Sequence, residues 1–158
     1  MKDPANRDIA GLAGLQALCF IILTQLEPRF LVIHLYQLIP YIAMLLFLAY
    51  RRERWAYMLG PLVSVAWLFL AFTAGLFESA IVHFRTLGNF PVAANVVAVL
   101  AVTTAVIAVV LTLRCRVHWV REFGGKGLAR TPFLVSFLLV AGYYGILLHW
   151  FWEMIPNA

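Results

Sequence analysis

Charged residues are scarce in this chain of 158 residues. Asp, Glu, Lys and Arg make up only 12% of the sequence, while 64% of it is hydrophobic. Soluble domains carry about 25% charged residues, so this composition excludes a fold that is surrounded by water. Five apolar runs take up nearly all of the chain, which leaves no length for a soluble domain.

Catalytic motifs are also missing. The two cysteines form no CxxC pair, which argues against a thiol-disulfide enzyme. Both aspartates, Asp3 and Asp8, lie in the first eight positions, whereas an intramembrane aspartyl protease needs a pair at membrane depth. Ser64 and Ser136 have no histidine at a matching depth, and the Gly-Gly-Lys-Gly segment at 124–127 lacks the spacing of a Walker motif. We therefore expect no catalytic activity of the chain's own.

The apolar runs are the main feature that is present. They cover about residues 9–26, 30–50, 55–78, 92–114 and 132–152. A helix needs about 20 apolar residues to cross the hydrocarbon core of a bilayer, and each run has roughly that length. The sequence therefore predicts one all-α domain over residues 1–158, a polytopic integral membrane bundle of five transmembrane helices.

Basic residues indicate the orientation of this bundle. Ten of the twelve fall on one side if all five runs span: Lys2, Arg7, Arg51, Arg52, Arg54, Arg114, Arg116, Arg121, Lys126 and Arg130. The other side keeps Arg29 and Arg85. The positive-inside rule then places the N-terminus in the cytoplasm and the C-terminus outside. An alternative with four spans, in which residues 9–26 stay out of the bilayer, puts Lys2 and Arg7 on the wrong side.

The basic residues also suggest where the protein resides and what it meets. Arginine outnumbers lysine ten to two, a usage typical of GC-rich bacterial genomes, so we expect a bacterial inner membrane. The net charge of +5 follows the helix ends and is a topology signal, so no nucleic-acid partner is expected. Anionic lipid headgroups are the expected contacts of the fourth loop, through Arg114, Arg116, Arg121, Lys126 and Arg130.

Small residues predict which helix faces pack. In lipid, such residues mark close helix contacts because they let two backbones approach. The fourth span has the clearest stripe, which consists of Ala94, Ala98, Ala101, Ala105 and Ala108. Gly14 in the first span and Gly145 in the fifth mark two further packing faces. These faces fit a compact monomer as well as contacts with another membrane subunit or a second copy of the chain.

Polar residues at membrane depth collect at the extracytoplasmic side. The predicted topology places six of them there: His34, Glu78, His83, Asn95, His149 and Glu153. Imidazole and carboxylate groups suit a divalent metal, for which His34, Glu78, His83, His149 and Glu153 are the candidate ligands. Alternatively, His34 and His149 lie at similar depth and could be the axial ligands of a b-type haem. A structural interpretation competes with both, in which these groups form hydrogen bonds between helices or reach the headgroups.

Three functions follow from these features. The first is a small subunit with a structural or assembly role in a larger membrane complex. The second is an electron-transfer subunit associated with haem or quinone, with its histidines on the extracytoplasmic side. The third is a small transporter or channel.

Overall fold

The computed structural model describes residues 4–73, 75–85, 91–123 and 130–151. These ranges are helical apart from short turns, and five of the helices are long and apolar enough to cross a membrane. A 3-10 turn at Pro28–Phe30 joins the first two helices. The helices are α1 (Pro4–Leu26), α2 (Leu31–Ala49), α3 (Glu53–Thr73), α4 (Leu76–Arg85), α5 (Val92–Phe123) and α6 (Arg130–Phe151).

The third apolar run forms two helices instead of one. The predicted span reaches Glu78, but α3 ends at Thr73 and a separate ten-residue helix, α4, begins at Leu76. Gly75 lies between them with a φ of 69° and donates its N–H to the carbonyl of Phe72 at 3.1 Å. A left-handed glycine is a common way to end a helix, because glycine has no Cβ to clash there. The prediction of a single helix to Glu78 was therefore wrong.

The helix that contains the fourth apolar run extends beyond that run. It continues past Arg114 to Phe123, so that α5 has 32 residues. At 1.5 Å per residue this helix is about 48 Å long, well beyond the roughly 30 Å of a hydrocarbon core. Arginine and histidine do not interrupt a helix, and residues 92–123 contain no glycine or proline, the first of which after Val92 is Gly124.

Four helices form a closed ring of contacts. Helix α1 packs against α2 and α5, and α3 packs against the same two helices. Tyr41, Phe20 and Leu111 are fully buried within this ring. Helix α6 lies outside it against α3, and α4 lies mainly against α5. We call the end of the bundle with Glu27 and the start of α2 the cavity end, and the end with Asp8 and Arg114 the basic end.

Two tyrosines attach α6 to α2. The hydroxyl of Tyr36 donates to the backbone carbonyl of Tyr143 at 3.1 Å, and the hydroxyl of Tyr143 donates to the carbonyl of Tyr36 at 2.6 Å. Their rings stack with centroids 4.1 Å apart. This reciprocal pair satisfies both hydroxyls at membrane depth, where an unpaired donor is costly.

Candidate functional site

A cavity of about 450 Å³ lies at the cavity end of the ring. All six helices and the turn after α1 contribute to it, and most of its wall is apolar. It is lined by Phe20, Leu23, Leu26, Glu27, Phe30, Ile33, His34, Gln37, Trp67, Leu70, Ala71, Ala80, His83, Ala93, Ala94, Val97, Ala98, Ala101, Thr104 and Leu147. Pockets for small molecules typically have volumes of about 300–1,000 Å³ and a few polar groups on an apolar wall. This cavity has both properties.

Glu27 and His34 form the main polar pair of the cavity wall. The 3-10 turn brings Glu27 back over the first turn of α2, where its Oε2 lies 3.2 Å from Nε2 of His34. The imidazole is held between the rings of Phe20 and Phe30, with centroids 6.5 and 6.4 Å away. With an ionised carboxylate and a neutral imidazole, Nε2 carries the proton and donates to Glu27. Nδ1 is then an acceptor, and it is buried without a hydrogen-bond partner among the described residues.

Gln37 and His83 complete the polar part of the lining. Gln37 lies on α2 almost one turn below His34, and it is 9% exposed. His83 comes from α4, which the glycine break at Gly75 allows to lie against α5. Without that break, the chain after Thr73 would continue along the axis of α3. The separate α4 is therefore what brings a second histidine to the cavity.

The predicted polar cluster is only partly assembled. His34 and His83 both line the cavity, whereas Glu78, on α4, and His149, on α6, are exposed and do not line it. Glu153 lies outside the described residues. In the ranges that the structure describes, no group of three or more His, Cys, Asp or Glu side chains could hold a metal ion. The described part of the predicted metal set is thus dispersed.

The haem hypothesis requires His34 and His149 to face each other across a cavity that holds the haem. Only His34 lines the cavity, and its Nε2 already bonds to Glu27. His149 lies on the exposed side of α6, next to the ring of Trp150. The two histidines do not face each other across this cavity, so its geometry does not favour an axial pair made from them.

The alanine stripe of α5 serves two purposes. Ala94, Ala98 and Ala101 line the cavity. Ala108 is fully buried in the apolar core, and Ala105 packs against that core. The sequence placed all five on one packing seam, but the three at the cavity end border open space.

Gly14 and Gly145 have no close neighbours among the described residues. A Cβ built on Gly14 or on Gly145 would meet nothing within 4 Å. Gly145 is exposed, together with Ala141 and His149 on the same side of α6. Of the two interpretations of these glycine faces, packing within one chain and packing on a partner, the described residues provide no close contact at either glycine for the first.

A second polar cluster joins three helices at the basic end. Asp8 Oδ2 lies 3.2 Å from Nε of Arg114 and 3.8 Å from Nε2 of His118. The hydroxyl of Tyr57 on α3 is 2.7 Å from Asn6 Oδ1 and 3.0 Å from Glu122 Oε1. One hydroxyl proton can serve only one of these two acceptors at a time. This cluster ties the ends of α1, α3 and α5 together.

The basic-end cluster includes one of the arginines predicted to contact lipid headgroups. Arg114 pairs with Asp8 and is 53% exposed. Arg116 and Arg121 are exposed, and Lys126 lies outside the described residues. The side chain of Arg130 is likewise not described. The sequence signal that was missed is the spacing of Arg114 and His118, four residues apart on one helix face, which allows both to reach a single aspartate.

Sequence reasoning also missed the apolar half of the candidate site. Phe20 and Trp67 lie on different helices with their rings 6.2 Å apart, and both line the cavity. Nothing in the spacing of apolar residues on α1 or α3 separates these two from neighbours that face outward.

Comparison with protein-family models, with curated proteins and with solved structures gives no match for this chain.

Proposed function

We propose that this protein binds an uncharged amphipathic molecule of the quinone class in the cavity. The observation that carries the proposal is the unpartnered Nδ1 of His34 in a largely apolar cavity of about 450 Å³. A quinol hydroxyl can donate to this nitrogen. Gln37 can donate to, or accept from, an oxygen of the same head group.

The charge of the lining favours an uncharged ligand. Glu27 is the one carboxylate in the described lining, and that lining contains no lysine or arginine. A phosphate head group would meet Glu27 without a cation among these residues to balance it. A flat ring with two oxygens matches the polar groups, and an isoprenoid tail matches the apolar wall. This supports the quinone alternative over the haem alternative.

Ligand binding can be measured through Trp67. Because Trp67 lines the cavity, a bound quinone ring would quench its fluorescence, and a short-chain ubiquinone is a suitable probe for the protein in nanodiscs. We expect saturable quenching that is lost in Trp67→Phe. Removing the imidazole in His34→Leu should raise the Kd roughly tenfold, the effect of leaving one buried hydrogen bond unmade.

The matched control is His149→Leu, which removes an exposed histidine from α6. It should leave the Kd unchanged. Equal quenching in wild type and Trp67→Phe would contradict the proposal. So would an equal loss of quinone affinity in His34→Leu and His149→Leu. Competition by dodecyl phosphate would show that an anionic head group is accepted, and a Soret band in the purified protein would favour haem instead.

We also propose that the protein lies in a bacterial inner membrane with its basic end in the cytoplasm. Helices α1, α3 and α5 carry basic residues at this end, and the positive-inside rule supports that orientation. The cavity then opens in the extracytoplasmic half of the bilayer. A reporter that is active only in the periplasm should be active when fused after Ala158 and silent when inserted at Gly125. The reverse pattern would invert the topology.

A role as a subunit of a larger membrane complex is a second candidate. It is favoured by the exposed face of α6, where Ala141, Gly145 and His149 present small and polar groups outward. A histidine in contact with acyl chains has unmet hydrogen bonds, and another membrane helix could satisfy them. A bulky residue at Gly145 would then displace the partner without unfolding the bundle.

A further inference from the structure

Three polar side chains meet at the middle of the bundle. Gln16 on α1, Tyr41 on α2 and Ser64 on α3 are each 0% exposed. Gln16 lies ten residues before the end of α1, a rise of about 15 Å, which is half of a hydrocarbon core of roughly 30 Å. Tyr41 and Ser64 also lie near the middle of their helices. The cluster is therefore at the centre of the membrane, below the cavity.

These side chains interact without completing their hydrogen bonds. Tyr41 interacts with both Ser64 and Gln16. However, hydrogen-bond geometry is met by none of the four polar atoms: Gln16 Nε2, Gln16 Oε1, the Tyr41 hydroxyl and Ser64 Oγ. Buried water molecules in proteins bind to such otherwise unsatisfied polar groups and typically make about three hydrogen bonds.

We propose that Gln16, Tyr41 and Ser64 form a binding site for one or two water molecules at the centre of the membrane. The carboxamide supplies both a donor and an acceptor, and the two hydroxyls can each do either. A water molecule placed among them can complete the bonds that the side chains cannot make directly. This inference does not depend on the quinone proposal, because none of the three residues lines the cavity.

The packing around the site indicates the side from which water reaches it. Towards the basic end, a Cβ on Gly60 would lie 2.8 Å from Cys115 Sγ and 2.9 Å from Met44 Cε, so α2, α3 and α5 are closely packed at this glycine. Towards the cavity end, the ring of Phe20 stacks on Tyr41 with centroids 5.9 Å apart and also lines the cavity. One aromatic ring thus separates the site from the cavity. We infer that water exchanges through the cavity.

The proposed water site can be tested by whether substitutions in it stabilise or destabilise the protein. If the polar atoms have no partner, their removal in Tyr41→Phe or Ser64→Ala stabilises the protein. If they bind water, the same substitutions should raise the unfolding equilibrium constant roughly tenfold, because bound water and the remaining side chains lose a partner. The matched control is Tyr50→Phe, at a tyrosine that is 75% exposed, which should change nothing.

Infrared spectroscopy gives a second readout on the folded protein. Exchange into H₂¹⁸O should shift the O–H stretching band of the internal water, and this band should be lost in Tyr41→Phe. In Ser64→Ala, the smallest change, the band should shift or disappear in a protein that still folds. Stabilisation by both substitutions, or the absence of an ¹⁸O-sensitive band in the wild type, would overturn the inference.

Discussion

Replacement of Gly60 by valine is expected to destabilise the bundle by about 3 kcal/mol, near the upper end of the cost of overpacking. Gly60 lies on α3 next to Met44 of α2 and Cys115 of α5, and even a Cβ there would lie 2.8 Å from Cys115 Sγ. Met44 can move its terminal methyl group, but the thiol of Cys115 has a short side chain and is fully buried. The backbones of α3 and α5 would have to separate. Unfolding by SDS in mixed micelles measures the change in free energy.

Gly145→Val is the matched control for Gly60→Val. It places the same side chain on a helix at a glycine where a Cβ would meet nothing within 4 Å. We expect a change in the free energy of unfolding within about 0.5 kcal/mol, as for other exposed sites. Equal destabilisation at both glycines would contradict the packing described here. Loss of a co-purifying protein in Gly145→Val alone would support a partner on α6.

Replacement of Ala108 by leucine is expected to destabilise the bundle by about 1–3 kcal/mol. Ala108 is 0% exposed and lies within the apolar core where α5 packs in the helix ring. Leucine has three more carbon atoms and no free space to hold them. The same SDS titration measures this loss.

Ala101→Leu makes the identical change two turns along the same helix. Since Ala101 borders a cavity of about 450 Å³, the added atoms can enter open space, and the free energy of unfolding should change little. Quenching by ubiquinone should weaken in the same variant, because the leucine occupies part of the proposed site. Similar destabilisation by Ala108→Leu and Ala101→Leu would show that the stripe is one continuous packing seam.

The contrast within this stripe shows the limit of the sequence pattern. Alternating spacings of four and three place Ala94, Ala101 and Ala108 on one face of α5, and that face does point into the bundle. The pattern does not show what lies opposite each alanine. That depends on how far the helices of the ring diverge, which is a property of several helices together.

The histidines also show which features the sequence determines and which it does not. The sequence placed His34, His83 and His149 at one end of the bundle, since depth follows from position along an apolar run. Packing decides which side of a helix faces the bundle. It leaves His149 on the exposed side of α6, whereas His34 and His83 line the cavity. The partner of His34 was the nearby Glu27, which a 3-10 turn folds back over α2.

The sequence by itself determined that the protein is all-helical with five helices long and apolar enough to cross a membrane, because hydrophobicity over about 20 residues is a local property. Local residues also specify the extension of α5 to Phe123 and the glycine break at Gly75, although the span boundaries drawn from hydrophobicity overlooked the break. Only the tertiary structure decided which polar groups meet. The cavity, the Glu27–His34 pair and the buried group of Gln16, Tyr41 and Ser64 each require particular rotations and separations of helices. In lipid the rotations and separations of helices are set by the fit of side chains between them, which the pattern of apolar residues along the sequence does not show.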